Sequence, residues 1–414
     1  MKMFLTTLIF ICLALGIYSQ NMTVSFQPKV AGLKIDSIRV SNLNKKESIK
    51  IAESELLILG STTGGDYFNH FSENGSIFPN PCGGNSVLYF YMPADQEAEI
   101  MVCNISGQVL ANKKDKFAAG NHRFKIDVPS GGLYTVITRT SGWSGSFKLL
   151  STGLNSQESR ISHLGFEPGL NAKSLVVSGK SIKYSMGDVL LCTAFSGKNS
   201  TIIADSPAAT SIYQVEFYGC TDADNHDYPV VKINSLWWMA KNLQTTKYSD
   251  GTAVPDVTVN TAWKALTTGA YCWYNNEIAN KEKYGALYNW FAVGTGKLCP
   301  VGWHVSTYDE WNGLLSFLGG QVSTGGKLKE TGSATWSALN TGATNGSGFS
   351  APGGGYRDSS NGNFANLNNY GYYWSSVEGD STHGRDFHLE GDNNRIYPGQ
   401  SYKEGGFSVR CVRN

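Results

Sequence analysis

Residues 299–320 read CPVGWHVSTYDEWNGLLSFLGG. A cysteine, a histidine, an aspartate and a glutamate fall close together here, which raises metal or catalytic chemistry. The spacing answers to architecture instead. Thr307 and Glu310 stand in the S/T-x-x-E relation of a capping box: the threonine hydroxyl accepts from a free main-chain N–H, and the glutamate returns to the Thr307 N–H. Trp311, Leu314, Leu315 and Leu318 follow at i, i+3, i+4 and i+7, one face of a helix, and Gly319 and Gly320 stop it. Asp309 and Glu310 suit the first turn against the helix dipole. Both acids are accounted for without catalysis. His304 has no second histidine nearby and no helical partner at i+4, so it reads as structural or surface.

The helix lies in an aromatic part of the chain. Nine of the ten tryptophans lie beyond Cys220, among frequent Tyr, Gly and Asn. Such a composition, with little long-range periodicity, predicts a compact domain with structured loops. The chain has 414 residues, room for two or three domains. Its net charge of +1 gives no electrostatic case for nucleic acid or an anionic membrane.

The N-terminus, MKMFLTTLIFICLALGIYSQ, has a lysine, an apolar run and then polar residues. It reads as a secretory signal peptide over 1–19, and no later run is long enough to span a bilayer. Residues 20–76 hold alternating strands such as KIDSIRVSNL, an N-terminal β segment. Residues 77–151 carry short strand-length runs separated by Ser106-Gly107, Ala119-Gly120 and Ser130-Gly131-Gly132, the pattern of a small β-sandwich. Residues 152–219 hold further strands that complete the N-terminal β region. Beyond the signal peptide, seven cysteines remain, an odd number, with no C-x-x-C pair among them.

Two stretches resemble known families. FPNP, MPADQEAEIMVCNISGQV, AAGNHRFKID and SGGLYTVI in 77–151 resemble the immunoglobulin-like sorting module of proteins exported by the type IX system of Bacteroidetes. In that family the module ends the chain. Here residues 152–414 follow it, so the resemblance implies the fold, and the segment reads as a spacer sandwich. From about residue 220, an ordered series resembles the Fibrobacter succinogenes major paralogous domain: DADNHDYPVVKINSLWWMAKNL, AYCWYNN, YGALYNWFAV, LCPVGWHVSTYDEW, GFSAPGGGYRD, GYYWSS and GFSVRCVRN. GFSVRCV and WSS are also similar to the C-type lectin-like fold, shared by formylglycine-generating-enzyme-like domains. The resemblance implies a mainly β multidomain protein: an N-terminal β-sandwich region and, over 220–414, an α+β C-type lectin-like domain rich in loops. Within it, Cys299 pairs best with Cys411, although sequence does not settle connectivity.

Chemistry is sought in three places. DADNHD at 222–227 and EGDNNR at 390–395 have the oxygen density of calcium loops but lack the EF-hand pattern. They read as polar turns with Asx side chains bonded to their own backbone. No cofactor is assigned, with calcium kept as a candidate. The hydrolase and metalloprotease motifs G-x-S-x-G and H-E-x-x-H are absent, as is a phosphate loop, so no catalytic residue is assigned. The third place is YRDSSNGNFANLNNYGYYWSSVEGDSTHGRDFHLEGDNNRIY at 356–397, whose composition matches that of binding loops. Trp374 reads as core. Tyr356, Arg357, Asn366, Asn368, Asn369, Tyr372, Arg385, His388, Asn393, Asn394, Arg395 and Tyr397 are the expected ligand residues, acting by aromatic stacking and Asn/Arg hydrogen bonds. The function expected is a secreted or cell-surface adhesion protein, with a glycan or surface protein as partner. A non-binding structural component is the alternative, and an unrecognised enzyme the third reading.

Overall fold

The structure, a computed structural model, describes residues 22–30, 32–60, 75–78, 80–92, 94–129, 131–142, 144–153, 158–167, 179–337 and 339–414. The expected signal peptide lies outside the described residues. No helix among them is long and apolar enough to cross a membrane.

Strands β1 (Met22–Pro28), β2 (Ser37–Asn42), β3 (Glu47–Ile51) and β4 (Leu56–Gly60) come first. Then come β5 (Gly75–Phe78), β6 (Asn85–Met92), β7 (Gln96–Asn104), β8 (Val109–Phe117), β9 (Gly120–Asp127), β10 (Gly132–Thr140), β11 (Ser144–Ser151) and β12 (Arg160–Glu167). The N-terminal region closes with β13 (Gly179–Lys183), β14 (Leu190–Ser196), β15 (Asn199–Asp205) and β16 (Ser211–Val215). One sheet runs β13-β4-β1-β16, and another contains the order β3-β2-β14-β15. Their inward residues, among them Val24, Phe26, Val40, Leu57, Ile182, Leu190 and Val215, form one core. The two segments on either side of the spacer therefore fold together.

The spacer is itself a two-sheet sandwich, β11-β10-β7-β8 and β12-β9-β6-β5, around Leu88, Phe90, Val102, Phe124, Val136 and Leu149. The period of two sets this core: β11 alternates exposed and buried along SGSFKLLS. β12, which sequence places in the 152–219 connector, pairs antiparallel with β9 and so belongs to this sandwich.

The rest of the chain adds β17 (Val230–Ile233), β18 (Leu236–Met239), α1 (Asn260–Trp263), β19 (Tyr271–Cys272), α2 (Lys281–Tyr284), β20 (Leu287–Tyr288), α3 (Trp290–Val293), β21 (Trp303–Val305), α4 (Tyr308–Phe317) and α5 (Gln321–Leu328). It ends with β22 (Tyr356–Arg357), β23 (Phe364–Ala365), β24 (Tyr370–Glu378), β25 (His383–Glu390), β26 (Ile396–Tyr402) and β27 (Cys411–Arg413). β17 pairs in parallel with β15. The sheet β21-β27-β18-β17-β15-β14-β2-β3 thus runs from the C-terminal domain into the N-terminal sandwich.

Helix α4 forms as its sequence dictates. Thr307 Oγ1 accepts from Glu310 N at 3.2 Å, and Glu310 Oε2 accepts from Thr307 N at 2.8 Å. Such a cap is worth about 0.5–2 kcal/mol. The Gly320 N–H closes the far end on Leu315 O at 2.8 Å, with both glycines at positive φ. The helix buries Trp311, Leu314 and Leu315 against Trp238, Phe349, Tyr373 and Phe387. Losing the Trp311 ring would cost about 3–5 kcal/mol. His304 Nε2 donates to Glu310 Oε1 at 2.9 Å, and its Nδ1 lies 2.6 Å from Asn414 Oδ1, a structural tie. Cys299 and Cys411 are disulfide-bonded across 112 residues, joining the segment before β21 to β27. The other described cysteines, Cys82, Cys103, Cys192, Cys220 and Cys272, are free and buried.

Candidate functional site

The strands β24, β25 and β26 form a separate antiparallel sheet whose two faces differ. Tyr373, Phe387, Leu389 and Ile396 face α4 and its core. The alternate residues face the other way, and register places Tyr372, His388 and Tyr397 in one row across the strands. Their rings stack: Tyr372 on His388 at 4.7 Å and 20°, His388 on Tyr397 at 4.9 Å and 14°. The Arg395 guanidinium caps the row, 5.7 Å from the Tyr397 ring. Tyr370 stacks beside Tyr372 at 6.1 Å, and Tyr356 meets it edge-on at 5.0 Å. Strand side chains stand perpendicular to their sheet, so the stacked rings cover one another's faces and direct their edges away from the strands. Tyr372 is sandwiched further by Phe407, 4.7 Å away. Ligand stacking on Tyr372, expected from sequence, is therefore corrected: its faces are taken, and its polar edge is what remains.

Polar groups line the same face. Glu390 Oε1 lies 3.8 Å from His388 Nε2. Burial lowers the His388 pKa, with Glu390 opposing, which favours the neutral ring. Its Nδ1 is buried without a hydrogen-bond partner among the described residues. Burial raises Tyr372 above the usual phenol value. In the next row Asp386 is 1 % exposed, and burial lifts it to about 6. Gly399 stands opposite, where a Cβ would come within 2.6 Å of Asp386 Oδ1. Only glycine leaves room for that carboxyl.

The Asn-rich loops meet at one edge of this sheet. The Gly391 N–H donates to Asn369 O at 2.8 Å. Asn366 and Asn368 take positive φ, 58° and 62°, a conformation asparagine tolerates. Asn366 and Asn369 are exposed. Asn368 is a packing residue, its Oδ1 accepting from Tyr284 OH at 2.6 Å. Asn393 ties the turn, donating to Glu390 Oε2 at 2.6 Å and accepting from Arg395 N at 2.7 Å. The Asn394 side chain lies where a Cβ on Gly342 would stand, 1.8 Å from its Oδ1.

Two arginines are corrected outright. Arg357 is fully buried. Its guanidinium donates to Gly362 O, Val257 O, Thr258 O and Asn260 Oδ1 at 2.5–3.0 Å, between the rings of Trp263 and Phe364. Four of its five N–H donors are spent on these acceptors, and burial puts the guanidinium out of a ligand's reach. Arg385 alternates with Asp386 and so falls on the α4 side, 5.4 Å from the Tyr308 ring. Tyr356, Tyr372, His388, Arg395 and Tyr397 do come together. Tyr370 and Glu390, which complete the face, were not singled out from sequence. The period of two along β24 and β25, Tyr370 with Tyr372 and Glu390 with His388, is the signal that finds them. Trp374 is core, fully buried with its indole N–H donating to Tyr288 O at 2.8 Å.

Asp222, Asp224 and His226 bring ligand-type atoms within 4.8 Å of one another. Their oxygens are engaged. Asp222 Oδ1 accepts from the N–H groups of Asp224 and His226, both at 2.9 Å, and its Oδ2 from Tyr228 OH at 2.5 Å. Asp224 accepts from Thr246 N and Thr246 Oγ1, and Lys247 Nζ lies 3.3 Å from it. Lys281 Nζ donates to His226 Nε2 at 2.9 Å. The geometry is that of an Asx-type turn balanced by its own lysines. A calcium ion would have to displace these donors.

No curated protein and no solved structure matches the chain. Residues 231–413 match the family model described as the Fibrobacter succinogenes major domain. The disulfide-tied C-terminal part of this chain, with its aromatic sheet face, is the part similar to that family.

Proposed function

We propose that the chain is an exported or surface-held binding protein. Its C-terminal domain, read as lectin-like, presents Tyr370, Tyr372, His388, Glu390 and Tyr397 to a polyhydroxylated ligand, a glycan. The observation that carries this is the row of parallel rings standing edge-out beside a carboxylate. Phenol hydroxyls donate and accept, Glu390 accepts, and Arg395 donates, an inventory suited to sugar hydroxyls. Exposed Asn366 and Asn369 at the sheet edge add adaptable contacts. The reading is non-catalytic. Asp386 and Glu390 stand four residues apart on one strand, about 13 Å, wider than the roughly 5–9.5 Å of glycosidase carboxylates. A structural role without ligand is the second reading, favoured by how fully Arg357, Asn368 and Asn393 are spent on packing. A glycan array probed with the full chain separates them. Binding is expected on at least one glycan class and is weakened when Tyr372, Asn369 and Arg395 are changed to Ala. An array without retention supports the structural reading.

A further inference from the structure

Lys329 follows α5 and is fully buried. Its ammonium donates to three main-chain carbonyls: Thr341 O at 3.0 Å, Glu390 O at 2.9 Å and Asn393 O at 2.7 Å. An ammonium has three N–H donors and no acceptor, so donors and acceptors match one to one. The Trp336 ring closes the site, 5.3 Å from Nζ. Convergent main-chain carbonyls are also what loops offer to a hard metal ion. Here the cation is covalently part of the chain.

Two of the three carbonyls belong to the hairpin between β25 and β26. That hairpin carries Glu390 and Arg395 and delivers Tyr397 to the row. It is seated on glycines of α5: a Cβ on Gly325 would come within 2.1 Å of Arg395 O, and Gly326 N donates to Asn394 O at 3.2 Å. Asp392 on the hairpin faces the ammonium electrostatically. The Glu390 carboxylate is held by Asn393, and the neighbouring Glu330 turns to Thr335 Oγ1 at 2.7 Å.

We propose that Lys329 is a positioning residue for the binding face: its buried ammonium acts as a built-in cation that holds the 390–395 hairpin, so that Glu390, Arg395 and Tyr397 are preorganised without a bound metal. The consequence for ligand binding rests on the function proposed above. The consequence for the hairpin does not, and it is measured without ligand.

The experiment is native-state amide hydrogen exchange on the full chain. Gly391 N and Arg395 N bond to Asn369 O and Asn393 Oδ1, so they report on the hairpin. In Lys329→Met, their exchange is expected to quicken by about tenfold or more as the carbonyls lose their donors. Amides of α4 and of Gly371–Tyr373 should keep their protection, and calcium or EDTA should change nothing in the unsubstituted protein. Unchanged exchange at Gly391 and Arg395, or an even loss across the domain, overturns the proposal. So does hairpin exchange that follows calcium in the unsubstituted chain. A second variant guards against misfolding. In Lys329→Ala, propylammonium should restore hairpin protection and propanol should not. Restoration by both, or by neither, also overturns it.

Discussion

Reducing the Cys299–Cys411 bond, or changing both residues to serine, opens a loop of 112 residues. By chain entropy, closing a loop of that length removes about 16 cal/mol/K from the unfolded state, or about 4.8 kcal/mol at 25 °C. The native arrangement does not depend on the bond alone. β21 and β27 still pair through Trp303, His304 and Val305 against Arg413, Val412 and Cys411. The loss therefore falls on the unfolded ensemble, and the domain should stay folded but weakened. Nine of the ten tryptophans lie beyond Cys220, so intrinsic fluorescence follows this domain. With a guanidinium slope of about 4 kcal/mol/M, the unfolding midpoint should fall by about 1.2 M. A fall under about 0.3 M, close to 1 kcal/mol at that slope, would refute the loop-entropy reasoning. Non-reducing peptide mapping with both thiols free would remove the bond itself.

Changing Arg357 to Met leaves one buried and three part-buried acceptors without their donor and should destabilise by about 1–3 kcal/mol; a melting temperature equal to that of the unsubstituted protein would return Arg357 to the surface. The His304–Glu310 pair gives α4 a pH signature. The Glu310 bond raises His304 above 6.5, so its contribution is present below 6.5 and is lost as pH rises through the raised value. Burial alone would raise Glu310, but His304 and Thr307 outweigh it and hold Glu310 below 4.5, so its contribution is lost as pH falls through that lowered value. Glu310→Gln should therefore cost most stability between pH 4.5 and 6.5, and a pH-independent difference in melting temperature would contradict this. Gly325→Ala gains about 1 kcal/mol of helix propensity. It also drives a Cβ against Arg395 O, an overpacking of about 1–3 kcal/mol, so thermal melting should show net destabilisation rather than the usual gain.

Local chemistry was legible and long-range closure was not. The capping box, the glycine stop and the apolar face of α4 are written within a few residues of one another, so they could be read directly. Alternation puts Trp374 on the Tyr372 side of β24, and it is core there because Phe407 and Tyr288 cover it. The same alternation carries Tyr370 and Glu390 onto the Tyr372 face and Arg385 off it, and composition alone blurred that distinction. Arg357 is different in kind. In a Tyr- and Asn-rich stretch it looks like a ligand residue, and what buries it lies about 100 residues earlier, at Val257, Thr258, Asn260 and Trp263. Lys329 is likewise ordinary until loops at 341 and 390–393 fold around it. The N-terminal sandwich closes by pairing β1 with β16, Val24 beside Ser211, across the whole spacer. No local pattern announces such a pairing.

In the proposed binding mode, ring edges rather than ring faces meet the ligand. Titrating the array-selected glycan into the full chain and into a Tyr370→Phe, Tyr397→Phe double variant tests it. Both rings remain and only two hydroxyls are lost. Affinity should fall by roughly tenfold or more, about 0.5–1.5 kcal/mol per hydrogen bond, with unchanged thermal stability. Equal affinity in the two proteins would contradict it.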